Sequence, residues 1–114
     1  MVQRGGVAAF VAVDPGTDRE VVVPVNERLV VGRECAGVAE GERLLVRDES
    51  VSRKHLEISL DVPGDRAWVV DISSNGTLLN GSTMAHLIPV PLRSGDQLTL
   101  GSVRLEFRSE RFRR

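Results

Sequence analysis

The 114-residue sequence has few of the features that mark several large classes of protein. Its single cysteine, Cys35, cannot form an internal disulfide, so nothing in the sequence requires an oxidising compartment. No stretch approaches the run of about 18 apolar residues that a transmembrane helix needs. The first residues also lack the long apolar stretch of a secretory signal. We therefore expect a cytoplasmic protein, or a cytoplasmic part of a larger one, with no contact with a membrane.

The charge balance gives no sign of nucleic-acid binding. Fifteen Lys and Arg against sixteen Asp and Glu leave a formal net charge of −1, whereas nucleic-acid binders usually carry a basic excess. Hydrophobic residues make up 41% of the chain and charged residues 27%, which is a globular composition and not a disordered one. A chain of this length has room for one domain.

Short β-rich runs, separated by turn-forming residues, make up most of the sequence. Between residues 103 and 108 the odd-numbered positions are apolar (Val103, Leu105, Phe107) and the even-numbered ones are charged, which is typical of a strand with one buried face. Apolar residues at helical spacing over ten or more positions are absent. The pattern therefore predicts an all-β sandwich or barrel. The predicted strands are residues 7–13, 20–25, 28–32, 44–47, 56–60, 67–72, 77–79, 87–92, 97–100 and 103–107.

Three prolines and the single tryptophan refine this prediction. Pro24, Pro89 and Pro91 lie inside apolar runs, so these runs are expected to be edge strands, bulged strands or irregular segments. Residues 87–92 in particular should be irregular. Trp68, between Ala67 and Val69 in a predicted strand, is expected in the core.

Polar residues that can form hydrogen bonds cluster on the connections between predicted strands. Gly32-Arg33 ends one strand, Ser52 to His55 precedes another, and Asp71 to Thr77 follows a third, with Asn80-Gly81 close behind. Taken singly, each has an ordinary interpretation as a turn, a loop hydroxyl or a surface charge. In a sandwich, however, such connections can gather at one end of the scaffold and form a binding surface.

In this order and spacing the segments resemble the forkhead-associated (FHA) domain family. The family pattern is Gly-Arg, then Ser-x-x-His, then Ser-x-Asn-Gly-Thr, then Asn-Gly, and every element is present. The resemblance implies a two-sheet antiparallel β-sandwich of about ten or eleven short strands. It covers residues 7–108, which we take as the domain, with residues 1–6 and 109–114 as flexible termini.

The resemblance also implies a binding site for a phosphothreonine peptide. Phosphothreonine has a charge of about −1.5 to −2 and three strong acceptor oxygens, so its site needs a guanidinium and hydroxyl donors with no carboxylate adjacent. By the resemblance, Arg33 pairs with the phosphate, Ser52 donates its hydroxyl to it, and Arg53 makes a second phosphate contact. Ser74 approaches the phosphothreonine from the next loop, and Asn75 binds the peptide main chain.

Three further residues would support the site without touching the ligand. Gly32, His55 and Gly76 are expected to fix the loops, with His55 forming hydrogen bonds. An alternative is nucleophilic catalysis by Ser52 with His55 and Asp71, but the sequence has no Gly-x-Ser-x-Gly elbow, and an arginine beside the serine suits an anion site better. We therefore expect no enzyme activity.

No cofactor and no metal are expected, because the two histidines and the cysteine do not have zinc-like spacing. The expected partner is a protein phosphorylated on threonine, which links the domain to a Ser/Thr protein kinase. The alternative function is a degenerate FHA scaffold that contacts other proteins independently of phosphate.

Overall fold

The computed structural model describes residues 6–61 and 66–112. Within these ranges the regular structure is all β, apart from one 3₁₀ turn at Glu40–Glu42, and the eleven strands form two sheets. This confirms the predicted two-sheet sandwich. No helix in these ranges is long and apolar enough to span a membrane. The strands are β1 (Gly6–Val13), β2 (Val21–Val25), β3 (Arg28–Gly32), β4 (Arg43–Leu45), β5 (Leu56–Asp61), β6 (Arg66–Asp71), β7 (Leu78–Leu79), β8 (Ser82–Thr83), β9 (Val90–Leu92), β10 (Gln97–Leu100) and β11 (Val103–Phe112).

The core is formed by the inward-facing residues of both sheets. The larger sheet has the strand order β2-β1-β11-β10-β7-β8 and the smaller has β4-β3-β5-β6-β9. On β11, Leu105 and Phe107 are fully buried while Arg104, just before them, is exposed, as the alternation in the sequence predicts. Leu56 and Ile58 of β5 are also fully buried. Each such side chain contributes about 1.5–3 kcal/mol by leaving water.

The prediction that Trp68 belongs to the core is wrong. On β6 the inward-facing positions are Ala67, Val69 and Asp71, so Trp68 lies on the outer face of the sheet and is only partly buried. Successive residues of a strand point to opposite faces of the sheet, so Trp68 cannot be buried in the core when its neighbours Ala67 and Val69 are. The inward position at the end of this strand is taken by an aspartate.

Prolines occur in the outermost strands, as predicted. Pro24 lies in β2, at one edge of the larger sheet, and Pro91 lies in β9, at one edge of the smaller sheet. An edge position leaves room for a residue that has no N–H to donate. The residues before β9 are irregular, and Leu87 has a left-handed backbone with φ of 65°.

The pairing of β1 with β11 extends past the predicted domain boundaries. The register runs from Val13 opposite Leu105 to Gly6 opposite Phe112. Gly6 thus belongs to the first strand and residues 109–112 belong to the last. The other residues predicted as flexible termini, 1–5 and 113–114, lie outside the described residues.

The register of the smaller sheet brings three connections to one end of the sandwich. Val31 near the end of β3 lies opposite Leu56 at the start of β5, and Leu56 lies opposite Asp71 at the end of β6. β4 runs parallel to β3, with Gly32 beside Leu45, so both strands finish at the same end of the sandwich. The connections after β3, β4 and β6 therefore meet, and these carry the polar segments singled out in the sequence.

Candidate functional site

Backbone hydrogen bonds join the segment after β3 to the loop between β4 and β5. The N–H of Arg33 donates to the carbonyl of Ser52 (2.9 Å), and the N–H of Glu34 donates to that of Arg53 (3.1 Å). Gly32 permits this approach, because a Cβ at that position would lie 2.2 Å from the Arg53 oxygen. Any side chain at position 32 would push the two segments apart.

His55 connects the β4–β5 loop to the β6–β7 loop through both nitrogens of its buried ring. Nδ1 accepts a hydrogen bond from the backbone N–H of Ser52 (3.0 Å), so the proton is on Nε2, which donates to the carbonyl of Gly76 (2.9 Å). Burial lowers the pKa of His55 and keeps the ring neutral, although the hydrogen bond to Gly76 and the charge of Asp71 act in the opposite direction. Gly76 has a φ of 98°, a conformation that favours glycine.

Asp71 holds the β6–β7 loop in place through hydrogen bonds. Its buried carboxylate accepts hydrogen bonds from the hydroxyls of Ser73 (2.6 Å) and Thr77 (2.7 Å), and from Nδ1 of His86 (3.0 Å). Burial raises the pKa of Asp71, but the hydrogen bonds outweigh it and the net pKa is lowered. Sequence reasoning considered Asp71 only as a member of a catalytic triad and missed this role. The available signal was the Asp-x-Ser sequence of residues 71–73, since an aspartate before a loop often accepts hydrogen bonds from residues that follow it.

A Ser-His-Asp relay is not what these side chains form. Both ring nitrogens of His55 are bonded to backbone groups, and Asp71 binds Ser73, Thr77 and His86. The Ser52 hydroxyl accepts the N–H of Ser74 at 3.1 Å. The triad geometry needs instead a base at the serine and a carboxylate at that base.

An open recess of about 430 Å³ lies where the three connections meet. It contains all five residues that the resemblance assigned to ligand binding. Its lining consists of Arg33, Glu49, Ser50, Val51, Ser52, Arg53, Lys54, Ser74 and Asn75.

Several donors in the recess are available to a ligand. Nε of Arg33 is held by the carbonyl of Val51 (3.1 Å), which orients the guanidinium and leaves its terminal nitrogens outside that bond. The Ser52 hydroxyl uses its oxygen as an acceptor, so its proton can be donated outward. Within the described ranges, the side chains of Lys54 and Asn75 make no hydrogen bond or ion pair. The recess can thus offer cationic and neutral donors to a compact anion.

Two carboxylates also lie at the recess, against the expectation that none is adjacent. Oε2 of Glu34 is 3.9 Å from Nη1 of Arg33 and 3.7 Å from Nε of Arg53. Glu49 is part of the recess lining itself. Sequence reasoning did not consider either residue, although each is next in sequence to a residue at the site.

A cluster of side chains connects the β4–β5 loop to the turn between β10 and β11. The hydroxyl of Ser50 donates to Asp48 and accepts the backbone N–H of Ser102 (2.9 Å), while the hydroxyl of Ser102 donates to Asp48 (3.1 Å). The hydrogen bonds from Ser50 are the main cause of a lowered pKa at Asp48. A turn from the other sheet therefore holds the loop that bears Ser52. Nothing in the sequence showed that positions 48 and 102 meet.

Comparison with known proteins identifies the family. The family model described as FHA domain matches residues 29–101, so the chain belongs to the FHA domain family. An FHA domain-containing protein of Arabidopsis thaliana is 38% identical over 66 residues, which are 56% of this chain and 16% of that protein. The chain thus spans about one-sixth of that relative.

Solved structures show the same fold. The FHA domain of the CT664 protein from Chlamydia trachomatis superposes with a TM-score of 0.74 at 20% identity, covering 89% of this chain and 96% of that one. A second structure, from a structural and functional analysis of phosphothreonine-dependent FHA domain interactions, has a TM-score of 0.70 at 28% identity. The superposition covers 89% of this chain and 95% of the chain in that structure.

Proposed function

We propose that this domain is a phosphothreonine-peptide binding module and that the recess at the end of the sandwich holds the phosphate. The observation that supports this most strongly is that Arg33, Ser52, Arg53, Ser74 and Asn75 line one recess. Membership of the FHA family and the similarity to a domain studied for phosphothreonine-dependent interactions point the same way.

Each donor has a role that its position suits. Arg33, oriented through Nε, presents its terminal nitrogens to the phosphate, and Ser52 donates its hydroxyl to a phosphate oxygen. Arg53 makes a second, more exposed phosphate contact, since 75% of its side chain is accessible. Ser74 approaches the phosphothreonine from the β6–β7 loop, and the side-chain amide of Asn75 binds the peptide main chain.

The preference for phosphothreonine over phosphoserine has a physical basis in the same recess. The loops that bear Ser52 and Ser74 both line the recess and are joined by the hydrogen bond from the Ser74 N–H to the Ser52 hydroxyl. We propose that the threonine γ-methyl packs in a small niche between these two loops. The partner is a protein phosphorylated by a Ser/Thr kinase in the cytoplasm, and the domain works as an adaptor without enzyme activity of its own.

The decisive experiment is calorimetry with a phosphothreonine peptide and its unphosphorylated twin, using the wild type and Arg33→Ala. Removing Arg33 deletes a charge-assisted contact of about 1.5–3 kcal/mol, which corresponds to an affinity about 10- to 150-fold lower. Arg66→Ala, at the opposite end of β6 from Asp71, is the matched control and should bind as the wild type does.

Three outcomes contradict the proposal. Equal affinity of the phosphorylated and unphosphorylated peptides would favour the phosphate-independent scaffold. Unchanged phosphopeptide binding by Arg33→Ala would mean that the phosphate binds elsewhere. Turnover of an ester substrate that is lost in Ser52→Ala would instead indicate a hydrolase.

A further inference from the structure

The carboxylate of Glu34 forms ion pairs with both arginines of the recess in the free domain. Its Oε2 atom lies 3.9 Å from Nη1 of Arg33 and 3.7 Å from Nε of Arg53, and about half of the Glu34 side chain is exposed. Ion pairs that are this long and this exposed contribute little to stability. A phosphate, with more charge than a carboxylate, can therefore displace Glu34 from both arginines.

The backbone of Glu34 would stay where it is during such an exchange. The N–H groups of Glu34 and Cys35 both donate to the carbonyl of Arg53, at 3.1 and 3.0 Å. The Cys35 side chain is fully buried behind them. Only the side chain of Glu34 is free to move, so its carboxylate remains close to the bound phosphate without the cations that it had before.

Glu49 adds a second carboxylate to the same place. It is exposed, it lines the recess, and its side chain makes no hydrogen bond or ion pair within residues 6–61 and 66–112. The recess cations are Arg33, Arg53 and Lys54, which together with the two glutamates leave a local charge of +1. A phosphothreonine of about −1.5 to −2 takes this to about −0.5 to −1. The occupied recess is thus short of one positive charge.

We propose, on the basis of the phosphothreonine-binding function above, that the recess selects peptides with a lysine or arginine beside the phosphothreonine, which Glu34 and Glu49 recognise. The ligand then restores the ion pairs that its phosphate breaks: arginine with phosphate, and glutamate with the basic residue of the peptide. An acidic residue at the same place would face two carboxylates and be disfavoured.

The test is a double-mutant cycle between peptide and protein, measured by fluorescence anisotropy at fixed low salt. One phosphothreonine peptide carries lysine at a single position near the phosphothreonine, and its twin carries norleucine, which has the same unbranched aliphatic stem without the charge. Each position is scanned with the wild type, Glu34→Gln and Glu49→Gln. Glu110→Gln, an exposed position far along β11 from the Ser102 turn, controls for the change in net charge.

We expect the wild type and Glu110→Gln to prefer lysine by about 2- to 5-fold at one or more positions, which is the range of an exposed ion pair. Glu34→Gln or Glu49→Gln should remove that preference at the position that each carboxylate reads. Glu34→Gln should also bind the norleucine peptide about 2- to 5-fold more tightly, because the competitor for the arginines is gone. Glu49 pairs with neither arginine, so Glu49→Gln should give a smaller gain in affinity for the norleucine peptide.

The inference is overturned if the wild type binds lysine and norleucine peptides equally at every position. It is also overturned if the preference survives both substitutions. Neither result affects the function proposed above, which fails only if binding does not depend on the phosphate or on Arg33.

Discussion

Replacing His55 by alanine should destabilise the fold and weaken ligand binding together. The buried ring joins two loops of the recess through hydrogen bonds with the N–H of Ser52 and the carbonyl of Gly76. Alanine removes both bonds and leaves a cavity under the loops. Because the site consists of these loops, their loosening should lower affinity even though the His55 side chain does not line the recess.

The size of the effect follows from these contacts. Each hydrogen bond is worth about 0.5–1.5 kcal/mol, and a partner left buried without water costs about 1–3 kcal/mol. With the cavity included, the loss of stability should be about 2–5 kcal/mol, a large share of the 5–15 kcal/mol typical of a whole domain. The melting temperature should then fall by about 8–20 °C.

Urea denaturation and thermal melting followed by circular dichroism measure this loss directly. His86→Ala is the matched control. The His86 side chain is largely exposed and, among the described residues, makes a single hydrogen bond, to Asp71, so its removal should cost much less. Phosphopeptide affinity should be measured at a temperature at which both variants remain folded. An unaltered melting curve for His55→Ala would refute the structural role of this histidine.

Asn75→Ala should weaken binding by a similar factor for peptides of different sequence, because Asn75 is proposed to bind the peptide main chain. Anisotropy titrations with several peptides check this, and a loss of affinity confined to one sequence would contradict it. Phosphothreonine should bind about tenfold more tightly than phosphoserine, since a buried methyl is worth about 0.8 kcal/mol and an empty niche adds to the cost; equal affinities would indicate a generic basic surface. Because burial lowers the pKa of His55, the unfolded chain takes up a proton below about pH 6.5 that the folded domain does not, so stability should fall as the pH is lowered through that point, and less so in His55→Gln. Urea titrations at pH 7.5 and 5.5 test the difference, and equal pH dependence of the two proteins would exclude His55 as its source.

Much of the fold could be predicted from local patterns. Period-two alternation identified the buried face of β11, and Pro24 and Pro91 identified edge strands. Each of these signals can be read from a few consecutive residues of the sequence. The short β8 strand was missed, since Ser82–Thr83 has no apolar alternation and exists only through its pairing with β7. Trp68 was misplaced because size alone does not tell which face of a strand is buried.

The candidate site was predicted as a set of residues but not as a network of contacts. The family pattern named Arg33 and Ser52, and the register of the smaller sheet brings both into one recess. The contact of Glu34 with the two arginines could not be foreseen, because it depends on how a loop folds back. The same holds for Asp48 and Ser102, which are far apart in sequence and belong to different loops.

The pairing of the first and last strands determines how the domain can be tethered. The β10–β11 turn reaches the recess through Ser102, and β11 then runs for ten residues to Phe112, where it lies beside Gly6. At about 3.3 Å per residue, both strand ends lie about 30 Å from the recess. A flexible linker joined to either end would leave the recess unobstructed, and two copies linked in tandem would have binding sites facing away from the linker. Such a pair would gain avidity only for a partner with two phosphothreonines spaced widely enough to reach both sites.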